Sequence, residues 1–159
     1  MKARANDLEI IENLLRSLNI STQTFEVPVA AAVYDPDMNL VSQSLNQRET
    51  TNDPTSHAEI CVLREAGIKN GNWNLEGFSL FITLEPCLMC AGAILQSRIS
   101  RVVFGAFNPG DSSKSTITLL RVANPKLEIV GGVMDKECSQ FLSQWFSNQR
   151  LLKGYDLNK

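Results

Sequence analysis

One histidine and a closely spaced pair of cysteines constrain this chain more than any other feature. His57, the sole histidine, stands in His57-Ala58-Glu59, and further on comes Pro86-Cys87-Leu88-Met89-Cys90. One imidazole and two thiolates make a tetrahedral metal site with three protein ligands, and this sulfur and nitrogen donor set favours zinc. The fourth position is then open, as a reactive rather than a structural site requires. Any fold adopted must bring the two distant segments to one point. Glu59, two residues from the histidine, cannot easily be a fourth ligand beside it and is read as a proton carrier.

A chain of 159 residues with 43% hydrophobic content holds one domain with a real core and is too short for two ordinary ones, so a single domain over 1–159 is expected. The start, Met1 to Asn6, leads into a charged amphipathic stretch rather than a cleavable apolar leader. No apolar run approaches membrane-spanning length, and the expectation is a cytoplasmic protein with no membrane contact. Four cysteines could form two disulfides, but a Cys-x-x-Cys downstream of a His-x-Glu points to metal in a reducing compartment. Cys61 and Cys138 are then expected in the core as small apolar residues. A net charge of −2 excludes a broad positive field of the kind that draws nucleic acid to a surface. Any such contact must be a local patch. Candidate cations are Arg48, Arg98, Arg101, Lys114, Arg121, Lys126, Arg150 and Lys153, of which fewer than about half are expected to touch phosphate.

Leu8, Ile11, Leu15 and Leu18, with Leu14 beside them, predict a helix over Asp7 to Leu18. Val27 to Tyr34 and Leu40 to Leu45 read as antiparallel strands, joined by a reversal at Asp35-Pro36-Asp37-Met38-Asn39. Ser56 is placed to cap a helix carrying His57, Glu59, Cys61 and Leu63, with Asn70-Gly71-Asn72 beyond it. Ser79 to Leu84 reads as a buried strand, and Pro86 as the opening of a helix through Cys87, Cys90, Ala93 and Ile94 toward Arg98. That helix is apolar nearly all round, which suits burial against a sheet and a second subunit. Arg101 to Gly105 and Leu127 to Val130 are further strands. The connection between them holds a helix from about Lys114 to Ala123 and is long enough for a parallel crossover. A last helix spans about Asp135 to Lys153, with Cys138, Phe141, Leu142, Trp145 and Phe146 inward. The fold expected is α/β: a three-layer α/β/α sandwich on a mixed five-stranded sheet, its first two strands antiparallel, its last three parallel, and its two metal-bearing helices side by side.

Other readings of the same residues exist. Ser56-His57-Ala58-Glu59 also fits a capping box, in which Glu59 only reaches back to a backbone amide. Cys61, one helical turn from His57, could complete a structural Cys₃His zinc site. Cys87 and Cys90 could be a redox pair, although no thioredoxin-like Trp-Cys context precedes them.

His-x-Glu with Pro-Cys-x-x-Cys is the known signature of zinc-dependent base deaminases. The resemblance extends through Glu26-Val27-Pro28-Val29, Asn46, Asp53-Pro54-Thr55-Ser56-His57-Ala58-Glu59, Thr83-Leu84-Glu85-Pro86-Cys87-Leu88-Met89-Cys90-Ala91-Gly92-Ala93 and Ser97 to Ala106. In these segments the chain is similar to the bacterial tRNA-specific adenosine deaminases. The resemblance implies a cytidine deaminase-like fold and a homodimer with one Zn²⁺ per subunit, held by His57, Cys87 and Cys90. It implies deamination of adenosine to inosine at the wobble position of a tRNA anticodon stem-loop, with Glu59 moving protons and Asn46, Ala58 and Asn108 contacting substrate. Glu59 would shuttle protons to a ring nitrogen and to the departing amine. This chain departs from the family at Ala30, usually Gly, at Asn108, often acidic, in the loop Pro109 to Ser115, and at Ser147-Asn148-Gln149-Arg150, where the basic helix end is thinned. The departures fall on the RNA side. A small-molecule base or nucleoside deaminase on the same scaffold, and a non-enzymatic zinc module, are the alternative functions.

Overall fold

A mixed five-stranded sheet runs through the computed structural model, which describes residues 4–20, 25–108 and 112–152. In chain order the elements are α1 (Ala5–Ile20), β1 (Ala30–Tyr34), β2 (Leu40–Leu45), α2 (Arg48–Thr51), α3 (Ala58–Asn70), β3 (Ser79–Leu84), α4 (Leu88–Ser97), β4 (Arg101–Ala106), α5 (Ser112–Ala123), β5 (Glu128–Val130) and α6 (Asp135–Leu152). Strands are ordered β2-β1-β3-β4-β5; β1 is antiparallel to β2 and β3, while β3, β4 and β5 are parallel. Helices α3, α4 and α5 cover one face, and α1 and α6 the other, giving the expected three-layer sandwich. The loop 109–111 and the end of the last helix at Lys153 lie outside the described residues.

Because both faces are covered, strands alternate between two cores rather than between core and water. In β1, Ala31 and Val33 join Leu80, Ile82, Val102 and Phe104 beneath α3 and α4. Ala30 and Ala32 join Phe81 and Val103 beneath α1 and α6. The reversal before β2 is held by Asp35, whose carboxylate accepts the Asn39 backbone N–H at 2.8 Å and its side-chain amide at 2.9 Å. β1 starts at Ala30 rather than Val27, which leaves Glu26 to Val29 as a loop at the sheet end where β2 and β3 finish. Gly71 ends α3 with a left-handed φ of 65°, a conformation that side chains rarely adopt.

The inward face of α1 differs from the expected one. Leu8 is 50% exposed, and the buried row is Asp7, Ile11, Leu14 and Leu18. Asp7 is the reason for the rotation. Its carboxylate accepts Arg101 Nη1 at 2.9 Å and Nη2 at 2.8 Å, and the Arg4 backbone N–H at 2.7 Å. Arg101 Nε also lies 3.0 Å from Glu128 Oε1, so the guanidinium ties α1 to β4 and β5. Arg101 is therefore a buried structural cation rather than a phosphate contact. Burial pulls the Asp7 carboxyl upward, but the hydrogen bonds and charge of Arg101 outweigh it and hold the group below the ordinary aspartate range.

Removing one member of a buried pair strands the other. Arg101→Ala is expected to cost about 3–5 kcal/mol and to lower Tm by on the order of 10 °C. Since the folded-state value of Asp7 is depressed, the pair's contribution is full above the ordinary aspartate value of about 3.9 and fades as pH falls below it. Thermal unfolding from pH 7 to pH 3 checks both points: wild type and variant should converge toward the acid end, and equal Tm values at pH 7 would contradict the assignment.

Candidate active site

The segment before α3 is built by Asp53. Its carboxylate accepts the Thr55 N–H at 2.8 Å, the Thr55 hydroxyl at 2.7 Å and the Ser56 hydroxyl at 2.9 Å. With its hydroxyl engaged there, Ser56 does not cap the helix. His57 occupies the N-cap position in extended backbone, and α3 begins at Ala58. This removes the capping box and places Glu59 in the first helical turn, where its carboxyl takes a hydrogen bond from its own backbone N–H. Across the site Cys87 holds the same position at α4, which begins at Leu88 rather than Pro86. Cys90, three residues further, is on the first turn.

The three donor atoms meet. Cys87 Sγ and Cys90 Sγ are 3.5 Å apart, and His57 Nδ1 lies 3.7 Å from the first and 3.6 Å from the second. Tetrahedral zinc, with bonds of about 2.0–2.3 Å, sets its ligand atoms about 3.5–3.8 Å apart. The triad fits that ion. It is the one such cluster among the described residues, and Cys61 stands outside it, which removes the Cys₃His alternative. Cys61 is only partly buried, not packed in the core as expected, whereas Cys138 is buried between α6 and the sheet. All four cysteines are free thiols.

The electrostatics also call for a cation. A hydrogen bond from Cys90 pulls the Cys87 thiol down to about 5, and the same bond, then burial, pushes Cys90 up. Two adjacent sulfurs thus share one proton unless a metal ion draws both into the thiolate form. Glu59, 4% exposed, has its carboxyl pushed upward by burial and by the neighbouring Cys87, against the pull of its own backbone N–H.

A cleft of about 180 Å³ opens over the triad, lined by Val27, Val29, Asn46, Arg48, His57, Glu59, Leu84, Glu85, Cys87 and Asn108. It lies where β3 and β4 end, the usual location of ligands in open α/β sheets. Its volume is below the roughly 300–1,000 Å³ of ordinary small-molecule pockets. Asn46, Glu59 and Asn108 are brought together there. Ala58 is not in the lining: its methyl is fully buried in the core, and what it offers is the backbone N–H of the first helical residue, which has no intrahelical acceptor. Three hollows share residues with the cleft: one of about 440 Å³ past Glu26, Asn46 and Thr50, and two more. One of about 510 Å³ is walled by Phe25, Arg48, Trp145, Phe146 and Arg150. The other, about 300 Å³, includes Phe107, Leu142 and Phe146. Phe146 is 45% exposed and Trp145 half-buried, so the end of α6 forms a wall of these hollows instead of packing wholly inward. Arg98 is remote from the cleft, stacked 5.1 Å over Trp73 beyond the other end of α3. The side chain of Lys114, and Lys153, lie outside the described residues.

Two carboxylates at the site have no counterpart among the sequence expectations. Glu26 is buried and accepts the Asn46 side-chain amide at 2.8 Å and the Thr50 N–H at 2.6 Å. Glu85 accepts the Asn108 N–H at 3.1 Å through Oε2, while Oε1 is buried with no hydrogen-bond partner among the described residues. Each stands inside a motif segment, but no spacing pattern links it to its partner.

Residues 5–106 match the model of the cytidine and deoxycytidylate deaminase zinc-binding region. The chain belongs to this family. Relatives of this deaminase include the tRNA-specific adenosine deaminase of Bacillus subtilis, 42% identical over 131 residues that cover 80% of this chain and 81% of the relative. That of Haemophilus influenzae is 42% identical over 128 residues, covering 79% and 74%. Within the family the chain groups with the tRNA-specific adenosine deaminases. A structure solved in a study of A-to-I editing by tRNA:A34 deaminases at the wobble position superposes with a TM-score of 0.70 at 31% identity, covering 86% of this chain and 99% of that one. The guanine deaminase of Nitrosomonas europaea superposes with a TM-score of 0.77 at 20% identity, covering 86% and 82%, and shares the fold.

For this deaminase, Cys87→Ala and Cys90→Ala are each expected to purify without stoichiometric zinc and with reduced stability, and Glu59→Ala with zinc intact. Elemental analysis of the purified proteins checks this. A Cys90→Ala protein holding one zinc per chain would refute the ligand set.

Proposed function

We propose that this deaminase hydrolyses adenosine to inosine at the wobble position of a tRNA anticodon, acting as a cytoplasmic homodimer of one-domain chains over residues 1–159. The relatives support the tRNA substrate, and one structural observation carries the reading: a narrow cleft over the metal triad and Glu59 opens onto aromatic hollows flanked by Arg48 and Arg150. A free base needs only the cleft. A base splayed from an anticodon loop brings neighbours, and exposed aromatic rings with nearby guanidinium groups are what unstacked bases and phosphates bind. The small-molecule alternative draws support from fold likeness alone.

His57, Cys87 and Cys90 would hold the zinc, which when bound supplies the Lewis acidity that makes water a competent nucleophile at neutral pH. Glu59 carries the protons. Its carboxylate takes the proton shed by the attacking water and passes it to the ring nitrogen beside the carbon attacked. It then takes the proton of the newly added hydroxyl and delivers it to the amine, which leaves as ammonia while the carbonyl of inosine forms. Asn46, the Ala58 N–H and Asn108 would hold the base in register with that carboxyl. Ala30, where relatives usually have glycine, turns its methyl into the α1 and α6 core and does not line the cleft. Leu88 and Met89 on α4, 53% and 37% exposed, offer an apolar surface suited to a second copy. Among the described residues no helix is long and apolar enough to cross a membrane.

Inosine formation on an anticodon stem-loop carrying adenosine at the wobble position, assayed beside free adenosine, adenine, cytosine and guanine, tests the proposal. The stem-loop should be converted, at a rate that falls steeply with salt because phosphate contacts are screened. Glu59→Ala should retain less than about a hundredth of that rate. Turnover of a free base alone would replace the RNA reading with the small-molecule one.

A further inference from the structure

We infer that Glu26 is a positioning residue for the reaction: its buried carboxylate fixes the orientation of the Asn46 amide that faces substrate in the zinc cleft. The inference rests on the deaminase reading above. A primary amide has two ends of nearly equal shape and opposite hydrogen-bonding sense, so packing alone does not decide which end faces a ligand. An ionised carboxylate is an acceptor only, and it decides. Glu26 Oε2 takes the Asn46 Nδ2 donor at 2.8 Å, so the amide cannot turn over without setting its carbonyl oxygen against a carboxylate. The remaining groups around this contact are also fixed. Glu26 Oε1 accepts the Thr50 N–H at 2.6 Å, and the Asn46 backbone N–H donates to the Val29 carbonyl at 2.9 Å. Glu26 and Asn46 are 7% and 8% exposed, so the carboxylate and the amide meet largely away from solvent. Burial pulls the Glu26 carboxyl upward, but the Thr50 hydrogen bonds and the Arg48 charge more than offset it, so the group stays ionised through the neutral range.

Asn46 thus presents one fixed order of donor and acceptor to whatever base enters. Glu26→Gln keeps the volume and an acceptor for Thr50 but adds an NH₂ group of its own, so the Asn46 amide is free to take either orientation. A purely structural brace would act on stability and independently of Asn46. A positioning residue acts through it.

The test is a double-mutant cycle on the zinc-loaded enzyme with the adenosine stem-loop, using wild type, Glu26→Gln, Asn46→Ala and the double variant. Zinc content and Tm are read alongside, and stem-loop affinity is measured in the catalytically inert Glu59→Ala background. Glu26→Gln should lower kcat/KM by about 10-fold to 100-fold, the range for losing a hydrogen bond to a charged partner. Zinc content should be unchanged, and the double variant should be no worse than Asn46→Ala alone. Affinity in the inert background should fall with Glu26→Gln as well. Multiplicative losses in the double variant, or full activity of Glu26→Gln where Asn46→Ala is impaired, would overturn the inference. A wild type inactive on the stem-loop would instead overturn the functional reading, and this assignment with it. Should Glu26→Gln not fold, side-chain amide NMR of ¹⁵N-asparagine-labelled wild type decides: the Asn46 NH₂ should be protected from exchange, and a freely exchanging signal would contradict the anchored amide.

Discussion

Two helix N-termini aimed at one point are the constraint around which this molecule is arranged. The helix ends at α3 and α4 each carry partial positive charge from unpaired N–H groups, and meeting in a buried site they would repel unless something anionic lay between them. The Cys87 and Cys90 sulfurs provide that charge, with His57 at the N-cap position of the other helix. Two thiolates and a divalent cation sum to neutrality, so the ion relieves the conflict between adjacent sulfurs while the helix ends favour their ionised form. The same junction sets Glu59 in the first turn of α3, buried and beside the cysteines.

The sheet serves to make that meeting exact in position. α4 follows directly from the end of β3, and the loops leaving β2, β4 and the approach to β1 reach the same sheet end. Every residue lining the cleft comes from one of these junctions or from the first turn of α3. Elements farther off act by holding the layers in place. Arg101 is the main tie, joining α1 to the adjoining ends of β4 and β5 through Asp7 and Glu128. Gly105 lets α6 lie close to β4, since a Cβ there would meet Cys138 Sγ and stand 2.6 Å from the Thr83 carbonyl.

Much of this was legible in the sequence because it is written locally. The zinc triad follows from residue type, the hairpin from Asp35 to Asn39, and the parallel crossover from the length of chain between β4 and β5. What was not legible depends on which partner a side chain takes, most often one far apart in sequence. Leu8 fits the helical periodicity as well as Leu14 does, and only the Asp7 pairing with Arg101 decides which face turns inward. Ser56 is a good capping residue by type, yet Asp53 claims its hydroxyl. Glu26 and Glu85 look like surface carboxylates until the fold sets them against Asn46 and Asn108. Substrate contacts were the least legible because they depend on side-chain orientation set by such second partners.

The central physical claim is that the metal has three protein ligands and keeps one position free for chemistry. Zinc K-edge absorption spectroscopy of the zinc-loaded protein tests it most directly. The account predicts two sulfur ligands at about 2.3 Å and two nitrogen or oxygen ligands at about 2.0–2.1 Å. A shell of three sulfurs and one nitrogen would mean that Cys61 closes the site, and would contradict a catalytic centre at the meeting of α3 and α4.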